Sequence, residues 1–515
     1  MMKKLFSKLL SLQVLHVLFS SGVTATAAQQ AEDLTQPNII LIYTDDQGYG
    51  DASCYNSASQ FQTPHIDRLA KEGMRFTDGH SSATICSPSR YGLLTGRYSW
   101  RTTRKQGNAP VDGPCWIAKD RLTLASLLQK KGYNTGMSGK WHLGMDFPGS
   151  KGKRIGWDKD IVDGPNAKGF DYYFGIPASM NYGVLTYIEN KRVLEEPSLW
   201  THKKPGEAIE DFRFMPPYDA QPKKKGDIEI APSFLDENAL TEFTNKALAW
   251  LETVKADAHQ GKPFFLYLPL SSPHKPVVPK KEFVGKSKAG LYGDFMIETD
   301  HHVGSILKFL DDNNLANNTM VVFTSDNGQE NTYPIRAKKY NHHSGGGLRG
   351  GKRDLHEGGH RVPFIIRWPN GIKPGSVSHE TVCQTDLLAT FADIIGTPLK
   401  DNEGEDSFSL KPIFSGQKLD RAPLIHHSSG DVFAIREGDW KLSMKGRKQP
   451  KQLVNLKGDL KEKNNLLDNH PAKVKELTAK MTTIILTGGS KPSKKTSNDS
   501  PTPKSWPGIK WISKQ

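Results

Sequence analysis

Asn38-Ile39-Ile40-Leu41-Ile42-Tyr43-Thr44 runs directly into Asp45-Asp46-Gln47-Gly48. A continuous uncharged run rich in β-branched residues reads as a strand buried on both faces, because a half-wetted strand would alternate. Such a strand delivers two acids at its carboxyl edge. The same grammar recurs in Met320-Val321-Val322-Phe323-Thr324-Ser325 before Asp326-Asn327-Gly328, and in Phe264-Phe265-Leu266-Tyr267-Leu268 ahead of His274. Helix-spaced apolar patterns over 64–71, 122–130, 234–254, 295–310 and 386–395 lie between and beyond these runs. Alternating strands and helices predict an α/β fold with a large, mostly parallel sheet flanked by helices, in which ligands gather beyond the carboxyl ends of the strands.

After about Gly416 the pattern shifts to Val432-Phe433-Ala434-Ile435 and Trp440-Lys441-Leu442-Ser443, then to a helical stretch over 471–481. This predicts a smaller C-terminal antiparallel sheet carrying one helix. Residues 1–27 read as a signal peptide: Lys3, Lys4 and Lys8 precede an apolar stretch, and Ala25-Thr26-Ala27 supplies small residues for cleavage. The main domain is expected over 28–415, the C-terminal subdomain over 416–487, and a basic Ser, Lys and Pro tail over 488–515 that stays disordered until Trp506 or Trp511 docks. The Pro- and Lys-rich segment 203–226 reads as a surface insertion rimming a cleft.

The 515 residues, 36% hydrophobic and 24% charged, describe a soluble globular protein, and no second long apolar run offers a transmembrane span. A formal net charge of +14 suits an anionic partner, although basic exported chains are common. Nucleic acid is not expected, because neither zinc-finger spacing nor an RNA-binding aromatic motif is present, whereas a sulfated polysaccharide would use the same electrostatics. Four cysteines, Cys54, Cys86, Cys115 and Cys383, are too few for a disulfide framework.

Asp45, Asp46, Asp326 and Asn327 form an oxygen-rich donor set suited to Ca2+ or Mg2+ rather than zinc, while either pair alone reads equally as turn chemistry. Cys86-Ser87-Pro88-Ser89-Arg90, with Leu94-Thr95-Gly96-Arg97 downstream, places a thiol and a cation at a helix N-terminus, where an anion is welcome and a nucleophile is activated. Gly139-Lys140-Trp141-His142 sets a cation and an imidazole two residues apart, on one side of an extended segment. His274 lies between prolines, and Lys352 lies among glycines that let backbone approach a ligand. His342, His343, His426 and His427 are candidates to line a sugar cleft, or else ordinary loop residues.

Taken in order, D-D-x-G, C-x-P-S-R with L-T-G-R, G-K-W-H-L-G, H-x-P, S-D-N-G and G-x-K with E-G-G-x-R-V-P resemble the motifs of type I sulfatases such as the arylsulfatases, over roughly 38–363. The resemblance implies the alkaline-phosphatase-like fold, a large mixed sheet with a smaller C-terminal sheet. It also implies that a formylglycine-generating maturation enzyme oxidises Cys86 to Cα-formylglycine (3-oxoalanine). Asp45, Asp46, Asp326, Asn327 and the modified Cys86 would be the metal ligands, most often for calcium, with Mg2+ as the alternative. Arg90 and Lys140 would steady the formylglycine, His142 would act as a base beside it, and Lys352 and His274 would hold the sulfate and assist departure of the alcohol. Tyr187-Ile188-Glu189-Asn190 resembles segments that shape the pocket of exported polysaccharide sulfatases.

The expected protein is therefore an exported sulfatase acting on a sulfated polysaccharide or oligosaccharide, periplasmic or secreted, or lysosomal in a eukaryote. The competing expectations are a phosphate or phosphonate ester hydrolase of the same superfamily, and a silent glycan-binding protein should Cys86 remain a thiol.

Overall fold

The computed structural model describes residues 36–149, 156–203, 213–446, 450–491, 496–499 and 507–512. The signal-peptide stretch and part of the 203–226 insertion lie outside them. A ten-stranded sheet forms the centre. Its strands are β1 (Asn38–Asp45), β2 (Met74–Phe76), β3 (Asn134–Lys140), β4 (Tyr172–Ile176), β5 (Ile188–Glu189), β6 (Arg192–Val193), β7 (Phe264–Pro273), β8 (Thr319–Ser325), β9 (Phe364–Arg367) and β10 (Ser376–Ser378). Their spatial order is β10-β2-β9-β8-β1-β7-β3-β4-β5-β6. β8, β1, β7, β3 and β4 run parallel, whereas β9 pairs antiparallel with both β8 and β2, and the β5–β6 ribbon closes the other edge antiparallel.

Burial on both faces explains the unbroken apolar reading of β1. Ile39, Leu41 and Tyr43 point into one core with Phe265, Tyr267, Met320 and Val322, while Ile40 and Ile42 point into the other with Leu266, Leu268, Val321 and Phe323. Each fully buried side chain of this size contributes about 1.5–3 kcal/mol through removal from water. The first core is covered by α2 (Cys86–Thr95), α3 (Leu124–Gln129) and α7 (Asp386–Ile394); the second by α1 (Pro64–Glu72), α4 (Ala239–His259) and α5 (Gly290–Asp312). Between α5 and α7 lies α6 (Tyr333–Tyr340), whose single buried residue is Arg336. It has no apolar stripe by which periodicity would reveal it.

Two helix starts shift from expectation for local reasons. Thr123 accepts from the Ser126 amide at 3.0 Å while the Ser126 hydroxyl accepts from the Thr123 amide at 2.9 Å, a capping box that excludes Leu122 from α3. A 3-10 turn at Asp236–Asn238 delays α4 to Ala239.

The second sheet is antiparallel, with strands β11 (Leu424–His427), β12 (Phe433–Glu437), β13 (Trp440–Ser443) and β14 (Gln452–Asn455), and helix α8 (Pro471–Leu486) packs on it. Tyr98 and Trp100 of the main body enter this core, so the two sheets share buried surface. Among the described residues, parts of the tail are packed. Ser490 donates to Asp406 at 2.6 Å, Asp499 pairs with Arg97 at 2.9 Å, and Trp511 is half-buried against the second core. Buried Arg101 also donates to Asn498 at 3.3 Å, so two arginines of the main body hold the tail. The four cysteines carry free thiols.

Candidate active site

Register brings the acids together. Thr44 pairs with Ser325 across β1 and β8, so Asp45-Asp46 and Asp326-Asn327 leave adjacent strand ends side by side. Asp46 turns into the left-handed region (φ 65°), its amide donates to Asp326 Oδ1 at 3.1 Å, and its Oδ1 accepts from Asn327 Nδ2 at 2.7 Å. Each of the four side chains is at most 1% exposed. Asn327 Oδ1 is buried without a hydrogen-bond partner. A fixed amide flanked by carboxylates and presenting an unsatisfied oxygen fits a hard divalent cation.

Cys86 opens α2, and its sulfur lies 3.5 Å from Asp45 Oδ1. One turn along, Arg90 donates to Asp326 Oδ2 at 2.9 Å and to the Lys140 carbonyl at 3.1 Å. Lys140, the last residue of β3, hydrogen-bonds Asp45 through its ammonium and reaches Ser179 at 3.4 Å. Lys352 donates to Asp46 at 2.7 Å. Glycine makes this approach possible: a Cβ on Gly328 would sit 1.8 Å from the Gly358 carbonyl oxygen, locking the S-D-N-G turn onto the E-G-G turn. His274 donates from Nδ1 to the Lys275 carbonyl at 2.7 Å, which leaves Nε2 aimed at Asp46, 3.5 Å away. Asp45, Asp46, Cys86 and His274 thus converge, adding a ring nitrogen to a set read from sequence as oxygen-rich.

His142 departs from its expected geometry. The strand ends at Lys140 and His142 has φ 59°, so the pair does not share the side of one extended segment. The turn buries His142 against Tyr182, whose hydroxyl bonds Nε2 and also donates to the Ala109 carbonyl at 3.4 Å. The other ring nitrogen, Nδ1, is buried and unpartnered. Sequence reasoning missed Tyr182 and Ser179. The signal available was their place just after β4, a parallel strand opening on the same edge.

Three carboxylates, Asp45, Asp46 and Asp326, face three cations, Arg90, Lys140 and Lys352. Burial, and next the neighbouring Asp45, push the Asp326 carboxyl up to about 7. Burial works the same way on Asp45, but Lys140, His274 and Arg90 together hold its carboxyl well below the usual range. Burial lowers His274 to about 4 and, with Lys140 and Arg90, holds His142 well below the usual imidazole range. Burial and then Asp326 raise the Cys86 thiol well above its ordinary value. Lys140 and Lys352 pull the thiol the other way without overturning the effect of burial.

Three of the four candidate histidines are engaged inside the fold. His342 is buried and binds Asp51 at 2.7 Å, His427 is buried on Asp431 at 2.9 Å, and His426 stacks on His360 with ring centroids 3.7 Å apart. His343 is exposed.

Comparison with known proteins agrees with this geometry. The sulfatase family profile matches residues 37–397, and that of the N-sulphoglucosamine sulphohydrolase C-terminal region matches 350–487. An N-acetylgalactosamine-6-O-sulfatase of Bacteroides thetaiotaomicron is 34% identical over 484 residues, covering 86% of this chain and 92% of that protein. Human arylsulfatase A is 34% identical over 421 residues, 79% of this chain and 74% of its own. A solved structure described under the metabolism of multiple glycosaminoglycans by Bacteroides thetaiotaomicron superposes with a TM-score of 0.77 at 31% identity, over 88% of this chain and 99% of its own. The chain therefore belongs to the type I sulfatases, sulfuric ester hydrolases of the alkaline-phosphatase-like superfamily.

Proposed function

We propose that this sulfatase is exported and removes sulfate esters from a sulfated glycan, using Cys86 after its conversion to formylglycine and a divalent metal, with Ca2+ favoured over Mg2+. The observation that carries the reading is the position of Cys86, 3.5 Å from Asp45 and clustered with Asp46 and His274, in a site where Asn327 leaves a buried oxygen unpaired. Asp45, Asp46, Asp326 and Asn327 would hold the metal. When bound, it supplies a positive charge that polarises the sulfate and offsets its repulsion of a nucleophile. The hydrated aldehyde at position 86 supplies one hydroxyl for attack on sulfur and a second whose deprotonation lets sulfate leave.

The chain's own groups divide the remaining work. Burial works against the Lys352 ammonium, but Asp46, Cys86, Glu330 and Asp45 together keep it charged, so it can grip a sulfate oxygen. Lys140 and Arg90 brace position 86 from the strand and helix sides. His142, held neutral, takes a proton, while His274, once protonated at Nε2, gives that proton to the departing oxygen. The net charge of +14 and the glycosaminoglycan context of the relatives support a polyanionic substrate.

Peptide mass spectrometry of the purified protein tests the nucleophile, since thiol and aldehyde differ in mass. Matched aryl sulfate and aryl phosphate esters test the reaction. A permanent thiol at Cys86, or preference for the phosphate, would overturn the proposal.

A further inference from the structure

Beside the acid site, a cleft of about 560 Å³ opens between the loop carrying Lys352 and the loops of the C-terminal sheet. Its walls include Arg349, Arg353 and Lys463, with Asp354 the single carboxylate among its lining residues. Asp354 is engaged locally, accepting from the Gly351 amide at 3.2 Å. Arg349 donates to a neutral partner, the Glu462 carbonyl, at 2.6 Å. Among the described residues neither Arg349 nor Lys463 has a carboxylate within salt-bridge distance, and both are exposed. His356, held neutral by burial with a pKa of about 4, and Asn465 add polar surface without negative charge.

The cleft is wired to the reaction centre. Arg353 pairs with Glu330 Oε1 at 2.6 Å, and Glu330 Oε2 lies 3.6 Å from the Lys352 ammonium that binds Asp46. The Arg353 amide also donates to the Thr84 carbonyl at 2.8 Å, two residues before Cys86. An anionic chain whose scissile sulfate sat over Cys86 would therefore find further cationic surface in this direction, where Arg353 is half engaged and Arg349 and Lys463 carry unneutralised charge.

We infer that the cleft walled by Arg349 and Lys463 is a subsite for a second anionic group, a sulfate or a uronate carboxylate, on the glycan whose scissile ester lies at Cys86. This rests on the glycan-sulfatase reading above. It makes the C-terminal sheet part of substrate recognition, and it predicts preference for saccharides carrying more than one negative charge.

The test compares wild type, Lys463→Glu and Arg349→Ala, each as full-length, Cys86-converted protein. The probes are a small aryl sulfate, a singly sulfated monosaccharide and a multiply sulfated oligosaccharide. Loss of one charged contact should raise KM for the oligosaccharide about tenfold with kcat little changed, and should leave the aryl sulfate unaffected. Lys463→Glu alters an exposed side chain, so it keeps the test valid should Arg349→Ala fail to fold. An unchanged oligosaccharide KM, or an equal loss on all three probes, refutes the subsite. Wild-type cleavage of the aryl sulfate with no turnover of any saccharide refutes the glycan reading itself, a different outcome.

Discussion

Substituting His426 with Phe should flatten the acid limb of the stability curve. His426 is 1% exposed, stacks on His360 with planes 16° apart, and has no hydrogen-bond partner at either ring nitrogen. Around these rings lie Asp78, Glu357 and Glu462 against Arg361, Arg436 and Lys441, with His80 bonded between Asp78 and His360. A proton on His426 would add a positive charge beside Lys441 in this enclosed cluster. Burial, and then the neighbouring His360, His80 and Lys441, hold His426 well below the ordinary value. The sign follows: a folded-state pKa below the unfolded one gives a contribution that is complete above about 6.5 and is lost as pH falls below it toward the folded value. A histidine that stays neutral when folded but titrates normally when unfolded costs about 2 kcal/mol between pH 7 and pH 5. At the usual unfolding entropy per residue, that corresponds to about 2 °C in Tm for a chain of 515 residues. Phenylalanine keeps the stacked ring and removes the proton site. Calorimetric Tm values at pH 5, 6 and 7 should fall less steeply for His426→Phe than for wild type by that amount. Parallel curves would refute the neutral-cluster argument.

His142→Ala should lower kcat about 10²–10⁴-fold with little change in KM; unchanged turnover in a steady-state aryl sulfate assay removes His142 from proton transfer. Dialysis against a chelator should abolish activity and Ca2+ or Mg2+ restore it, and Asn327→Leu should raise the metal concentration for half-maximal activity, as read in a titration. Asp406→Ala should cost about 3–5 kcal/mol, because it strands a buried guanidinium: Arg101 makes two 2.7 Å bonds to Asp406 and lies 4.3 Å above the Trp100 ring. Chemical denaturation should show that loss while kcat for the surviving folded enzyme stays at the wild-type level.

What could be read from sequence divides along a physical line. β1 declared itself because residues buried on both faces must all be apolar, and the acids following it are placed by backbone alone once β1 and β8 pair in parallel. Glycine motifs such as Gly328 with Gly358 were equally readable, since only glycine permits carbonyl contact at that spacing. The histidines were not. His342 and His426 are polar residue types whose burial depends on partners distant in the chain, Asp51 for His342 and His360 for His426, and no local pattern encodes such pairing. His142 failed for another reason: the left-handed turn after Lys140 cancels the two-residue periodicity on which the shared-side argument relied. The Arg349–Lys463 cleft was invisible because it is assembled by loops meeting across the fold. Strand ends thus fix where the reacting sulfate must sit, and loop encounters decide what surrounds it. A family signature read from strand ends can therefore specify the chemistry, while the loops, here those joining Lys352 to the C-terminal sheet, shape the surface around it.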